Sequence, residues 1–141
     1  ATRNVDVIHA DFAPECLSLM QRRLPDLKWA QMDARALPLA DASVSAVVEK
    51  GTMDALLRGG DDGWHCMLQQ VIRVLKPGGR LLQVTDEPPE LRLALLESFP
   101  WQVSFKEMSI DAGDYDVFYL FLLSPFLEGE RERDGGRERW R

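Results

Sequence analysis

The spacing of apolar positions changes several times along the chain, and each change predicts an element. Residues 4–10 form a short β-rich run, after which Cys16, Leu17, Met20 and Leu24 recur at helical spacing behind Pro14. That order predicts strand, turn and helix, with Pro14 at the first helical position, where its missing N–H costs nothing, and Pro25 as the stop. Residues 27–32 predict a second strand and residues 44–49 a third, preceded by the turn-rich residues 37–43. Trp64, Met67, Leu68, Val71, Ile72 and Leu75 make the clearest helical stripe, entered from Asp61 or Asp62 and stopped by Pro77, Gly78 and Gly79. Residues 80–85 predict a strand, 88–98 a helix, 101–107 a strand and 116–123 a last, almost continuously apolar strand. Strands that alternate with helices imply parallel pairing with helices on both faces, so the expected class is α/β with a doubly wound, mostly parallel sheet.

Composition narrows the partners. Of 141 residues 45% are hydrophobic, which suits a packed domain; no apolar run approaches the ~18 residues of a membrane span. Seventeen basic residues against 23 acids give a formal charge of -6, so there is no global basic field to collect nucleic acid. Residues 128–141 are rich in Glu, Arg, Asp and Gly, and their charges cancel. The reading is therefore one compact, soluble domain over residues 1–125 and a charged, disordered tail over 126–141. Cys16 and Cys66 are too few for a disulfide framework and lack ligand spacing, so neither structural zinc nor an oxidising compartment is expected. Both fall at helical positions and read as small core residues. His9 and His65 have no partner at metal-ligand spacing.

In doubly wound sheets the ligand lies beyond the carboxyl ends of the strands, which directs attention to Asp11, Asp33, Glu49 to Asp54 and Thr85 to Glu87. Asp11 can accept hydrogen bonds from both hydroxyls of a ribose, or it can simply cap the helix at Pro14. Asp33 with Ala34 offers an acceptor for an adenine amino group, although an acid in a turn is also commonly just solvated. The run Glu49, Lys50, Gly51, Thr52, Met53, Asp54, Ala55 is the strongest signal, because unpaired polar groups behind a buried strand cost ~1–3 kcal/mol each unless they meet solvent or a ligand. Its alternative is a turn centred on Gly51 with Asp54 capping a short helix.

These stretches together resemble the class I, Rossmann-like methyltransferases. Val7 to Pro14, Gln31 to Ala34 and Val47 to Ala55 carry the resemblance, and the last is similar to the acid-Lys-Gly-Thr-x-Asp-Ala signature of the methyltransferase-like lysine methyltransferases. Arg73 to Gly79 looks like the superfamily's helix-to-strand passage. Leu82 to Leu93 is most similar to members that methylate mitochondrial citrate synthase, with the elongation-factor lysine methyltransferases as the competing group. The resemblance implies S-adenosylmethionine as cofactor, held by Asp11 and Phe12 at the ribose, Asp33 and Ala34 at the adenine, and Glu49. It also implies a substrate lysine oriented by Glu49, Thr52 and Asp54, citrate synthase as protein partner, and the mitochondrial matrix or else the cytoplasm as location. The family's first strand and Gly-rich loop are expected to be absent: only ten residues precede Asp11 and none is glycine. Loss of that central strand would leave unpaired strand edges or let two neighbours close up.

Overall fold

In a computed structural model of the protein, residues 5–109 and 117–126 are described. The chain divides after Pro38, within the span the sequence reads as one domain, into two compact units, Ala1–Pro38 and Leu39–Arg141. Each is described by itself.

The first unit holds β1 (Ile8–Asp11), α1 (Pro14–Arg23) and β2 (Lys28–Gln31). Both strands run parallel, Ile8 opposite Lys28 and Asp11 opposite Gln31, and the Met32 N–H continues the ladder to the Asp11 carbonyl at 3.0 Å. Pro14 opens α1 as expected, and Arg22 and Arg23 occupy the last turn, where cations offset the exposed carbonyls. β1 is shorter than its β-rich run because β2 offers partners only from Ile8 onward, leaving Val5 and Val7 exposed. Leu17 turns inward from α1 while its neighbour Cys16 is exposed. Cys66 is exposed as well, so neither cysteine is the core residue that helical spacing suggested; a periodic position fixes a face only to within one residue.

The second unit comprises β3 (Val44–Lys50), α2 (Thr52–Arg58), α3 (Gly63–Val74), β4 (Leu75–Thr85), α4 (Pro89–Leu96), β5 (Trp101–Ser109) and β6 (Val117–Pro125). Its sheet has the order β3-β4-β6-β5. β3 and β4 pair in parallel through a helical crossover, whereas β6 is antiparallel to both β4 and β5. Only residues 110–116 separate β5 from β6, too few for the dozen or more that a parallel crossover takes, so the pair folds back on itself. The core is made of fully buried side chains: Leu81 of β4, Phe121 and Leu123 of β6, Leu68 and Val74 of α3, Met53 of α2 and Leu96 of α4. The last strand reaches Pro125, and the Phe126 N–H donates to the Pro100 carbonyl at 3.0 Å; the rest of the charged tail lies outside the described residues. No helix among the described residues is long and apolar enough to cross a membrane.

The helix stop at Lys76 to Gly79 does more than end α3. Val44 stands opposite Leu75 while Ala46 stands opposite Arg80, so residues 76–79 bulge out of β4 without disturbing the pairing beyond. Gly79 makes this possible: a Cβ there would lie 2.8 Å from the Lys76 carbonyl oxygen and 3.2 Å from that of Ser45 on β3. Both obstacles are backbone. Gly79→Ala is therefore expected to lower stability by about 1–3 kcal/mol, the usual range for overpacking. Urea denaturation of the 141-residue chain checks this, and an unchanged midpoint would mean that the bulge opens freely.

Candidate functional site

In the first unit the parallel pairing brings Asp11 and Asp33 to the same carboxyl end of β1 and β2. Asp11 accepts a hydrogen bond from the Ala13 N–H at 2.8 Å, a turn just ahead of α1; the helix itself begins from Ala13 without a side-chain cap, so Asp11 is not the cap of α1 that the sequence offered as its alternative role. The same carboxylate stays exposed at the strand end, where a ligand can reach it. Partial desolvation and the Asp11 charge beside it raise the Cys16 thiol above its ordinary range. Phe12 follows, 63% exposed, with its carbonyl held by the Gln31 amide at 3.0 Å. Asp33 is held by Arg35, whose Nε and Nη2 donate to it at 3.0 and 2.9 Å and whose backbone N–H adds a bond of 2.9 Å. These bonds hold the Asp33 carboxyl below the usual carboxylate range. His9 packs on Trp29 across the strand pair, centroids 4.7 Å apart, which accounts for it without any ligand.

In the second unit the carboxyl ends of β3 and β4 carry the polar run. Lys50, the last residue of β3, lies with its ammonium 5.8 Å from the centroid of Phe118 on β6, a cation–π arrangement. Gly51 then takes φ +78°, the left-handed conformation that glycine adopts without strain, and α2 begins at once. Its leading N–H groups are capped by Glu49: Oε2 accepts from Thr52 N at 2.9 Å and from Met53 N at 3.4 Å. The expected turn at Gly51 is present, but the cap is Glu49 and not Asp54. Burial pushes the Glu49 carboxyl above its ordinary range, opposed by hydrogen bonds from Gln83 and from the backbone of Met53 and Thr52, with the nearby charge of Asp54 raising it further.

Asp54 faces a different set of partners. The Thr85 hydroxyl donates to its two oxygens at 2.9 and 3.1 Å, and the Arg92 guanidinium donates to Oδ1 through Nη2. Arg92 is wholly buried, and its Nε also donates to Glu87 Oε2 at 2.7 Å. Beside this cluster an open pocket of about 230 Å³ is lined by Asp54, Leu57, Arg58, Asp86 and Glu87.

Reading the sequence reached Glu49, Thr52, Asp54 and Thr85 to Glu87 but passed over Gln83 and Arg92. The signal was present in both. Pro89, Arg92 and Leu96 form the inward stripe of α4, so a charge stands where an apolar residue is expected. Leu81, Gln83 and Thr85 alternate on the buried face of β4, placing an amide and a hydroxyl where the period of two calls for apolar groups.

Comparison with known proteins bears on this geometry. A family model described as a methyltransferase domain matches residues 1–79. The chain is 32% identical over 128 residues to EEF1A lysine methyltransferase 4 of Mus musculus, covering 82% of this chain and 50% of that protein. It is 33% identical over 135 residues to the mitochondrial citrate synthase-lysine N-methyltransferase of Homo sapiens, covering 82% of this chain and 56% of that one. It thus spans about half the length of the curated relatives it matches. Among solved structures, a SAM-dependent methyltransferase of Methanosarcina mazei superposes with a TM-score of 0.64 at 18% identity, over 86% of this chain and 82% of that one; this likeness is one of fold.

The raised Glu49 carboxyl has a stability signature. An acid whose folded pKa exceeds its unfolded value binds its proton more tightly in the folded state, so stability falls as pH rises from the unfolded value through the folded one. Between about pH 4 and pH 7 the unmodified chain should lose more thermal stability than Glu49→Gln, which keeps an oxygen for the α2 cap and cannot ionise. Thermal melts of both proteins across that range measure the difference. Parallel curves would place the Glu49 carboxyl in a solvent-like environment.

Proposed function

This chain belongs to the methyltransferase-domain family, and from that premise we propose that it acts as a protein-lysine N-methyltransferase with S-adenosylmethionine as methyl donor. The observation that carries the reading is the Glu49 to Ala55 run, folded as a strand end, a left-handed glycine and a helix start capped by a half-buried carboxylate. When bound, S-adenosylmethionine supplies a methyl group on a sulfonium, an excellent leaving group. The protein's task is then mostly to orient a neutral amine, and positioning alone can remove several kcal/mol of barrier.

The residues present suit such a ligand. Asp11, exposed at the end of β1, accepts from the two ribose hydroxyls, and the exposed Phe12 ring beside it offers an apolar surface. Asp33, kept ionised by Arg35, and Ala34 receive the adenine end. On the substrate side a lysine ammonium, with an ordinary pKa near 10.4, must shed a proton before it can attack. Glu49 and Asp54 orient it, with Thr52 as a second polar contact. Because Arg92 already offsets Asp54 and Glu87, the attraction for an incoming ammonium comes chiefly from Glu49 and from Asp86 at the pocket rim.

Citrate synthase is the first protein substrate to test, with the mitochondrial matrix as the corresponding location. An elongation factor in the cytoplasm is the second, and its standing comes from the matching identity of the two relatives, 33% and 32%. Both substrates should be offered to the 141-residue chain and to the chain extended upstream by the first strand and Gly-rich loop of a relative. Mass spectrometry is expected to find a methylated lysine on citrate synthase with the extended protein. Methylation of the elongation factor alone would move the assignment to the second substrate, and methylation of neither would overturn both.

Cofactor binding provides a separate check. A Gly-rich loop offers backbone donors to the charged end of the cofactor, and the added segment supplies one. Calorimetry should show markedly tighter binding of S-adenosylmethionine by the extended protein. There Asp11→Ala should weaken affinity about ten- to a hundredfold, the loss of one or two hydrogen bonds to a charged group. Micromolar binding by the 141-residue chain would assign the loop's role to another segment. Failure of both forms to bind would favour an interaction protein built on a methyltransferase fold.

A further inference from the structure

We propose that Thr85 and Arg92 are positioning residues for Asp54, aiming one oxygen of its carboxylate at the Gly51 turn to meet the substrate amine. A threonine hydroxyl has a single hydrogen to donate and two lone pairs that accept. Around Thr85, the last residue of β4 and 2% exposed, two neighbours can only donate: the Glu87 N–H reaches its oxygen at 3.0 Å and Arg92 Nη2 reaches it at 3.2 Å. Both lone pairs are thereby taken. The one hydrogen is left for Asp54, and the hydroxyl spans the carboxylate, 2.9 Å from Oδ1 and 3.1 Å from Oδ2.

The two contacts fix different things. Arg92 Nη2 donates to Oδ1 alone, which pins that oxygen but leaves the carboxylate plane free to turn about it. Thr85 touches both oxygens and so sets the plane. The guanidinium is itself anchored, wholly buried and tied through Nε to Glu87 at 2.7 Å. With Oδ1 held in this way, Oδ2 is the oxygen that faces the turn: it lies 4.0 Å from where a Cβ on Gly51 would stand. Beyond the chain neighbours of Gly51, it is the only atom among the described residues that such a Cβ would meet. The bare side of the glycine therefore opens onto an oxygen whose direction β4 and α4 have set, although the acid itself belongs to α2. Lysine cannot stand in for Arg92, since a single ammonium cannot address Asp54, Thr85 and Glu87 from the directions a planar fork does.

The inference rests on the lysine-methylation reading for its purpose but not for its first test. Arg92→Lys is the obvious variant, yet it removes a buried fork and endangers the fold, so the Thr85 hydroxyl carries the test. Crystal structures of the 141-residue chain and of its Thr85→Val and Thr85→Ser variants compare the carboxylate directly. Valine should let Oδ2 turn away from Gly51 while Oδ1 stays on Arg92, and serine should keep both in place. The second test uses the extended protein with whichever of citrate synthase and the elongation factor it methylates. There Thr85→Val should lower kcat about tenfold or more while the affinity for S-adenosylmethionine stays within about twofold, and Thr85→Ser should recover most of the loss. An Asp54 carboxylate that keeps its place in Thr85→Val overturns the inference. So does a displaced carboxylate with kcat unaffected, a serine variant as slow as the valine one, or a fall in cofactor affinity that accounts for the whole loss. Absence of any methylation by the unsubstituted extended protein would instead count against the function, and the crystal structures would still decide the positioning.

Discussion

A wholly buried guanidinium must have its charge matched, and that requirement organises the second unit around Arg92. Removing one partner from a buried ion pair typically costs about 3–5 kcal/mol, because the remaining charge can neither ionise freely nor reach water. Here the matching charges come from two places in the chain, Asp54 in the first turn of α2 and Glu87 just before α4. Their side chains remain partly exposed, so the cluster is buried on its cationic side and wet on its anionic side. The sheet end thus presents carboxylates outward while its positive charge is locked behind them, an arrangement that favours an incoming cation without leaving the interior charged.

The same cluster explains how strand ends become a site. β3 delivers Glu49, and the left-handed turn at Gly51 redirects the chain within one residue so that α2 starts against that carboxylate. β4 delivers Gln83 and Thr85 from its buried face. Each polar group sits where it is because another one needs it there: Thr85 bonds Asp54, the Gln83 amide meets Met53 and Arg92, and Arg92 bonds Asp54, Thr85 and Glu87. Such a network gains by being complete, since a half-satisfied one in a low-dielectric interior is worse than apolar packing.

Much of the fold was readable because it depends on local rules. Pro14 at a helix start, the α3 stripe and its stop before Pro77, and the parallel pairing of β3 with β4 all follow from period and punctuation. Antiparallel β6 depended on a connection length, which strand-helix alternation over the rest of the chain obscured. At the site, Glu49 and Asp54 were visible because they stand in a polar run behind a strand. The division of labour between them was not, since whether Glu49 or Asp54 caps α2 turns on the direction in which Gly51 sends the backbone. Arg92 was hidden for a further reason: its partners lie five, seven, nine and 38 positions away, and only the packed structure brings them together.

Asp11 affects the sulfur next to it as well as any ligand. The thiolate, not the thiol, is the form of cysteine that attacks electrophiles. With its ionisation opposed by desolvation and by the Asp11 charge, exposed Cys16 remains a thiol over a wider range of pH than an isolated cysteine would. An alkylating molecule arriving at this end of the strand pair therefore meets a poorer competitor for its reactive carbon than an isolated cysteine would be.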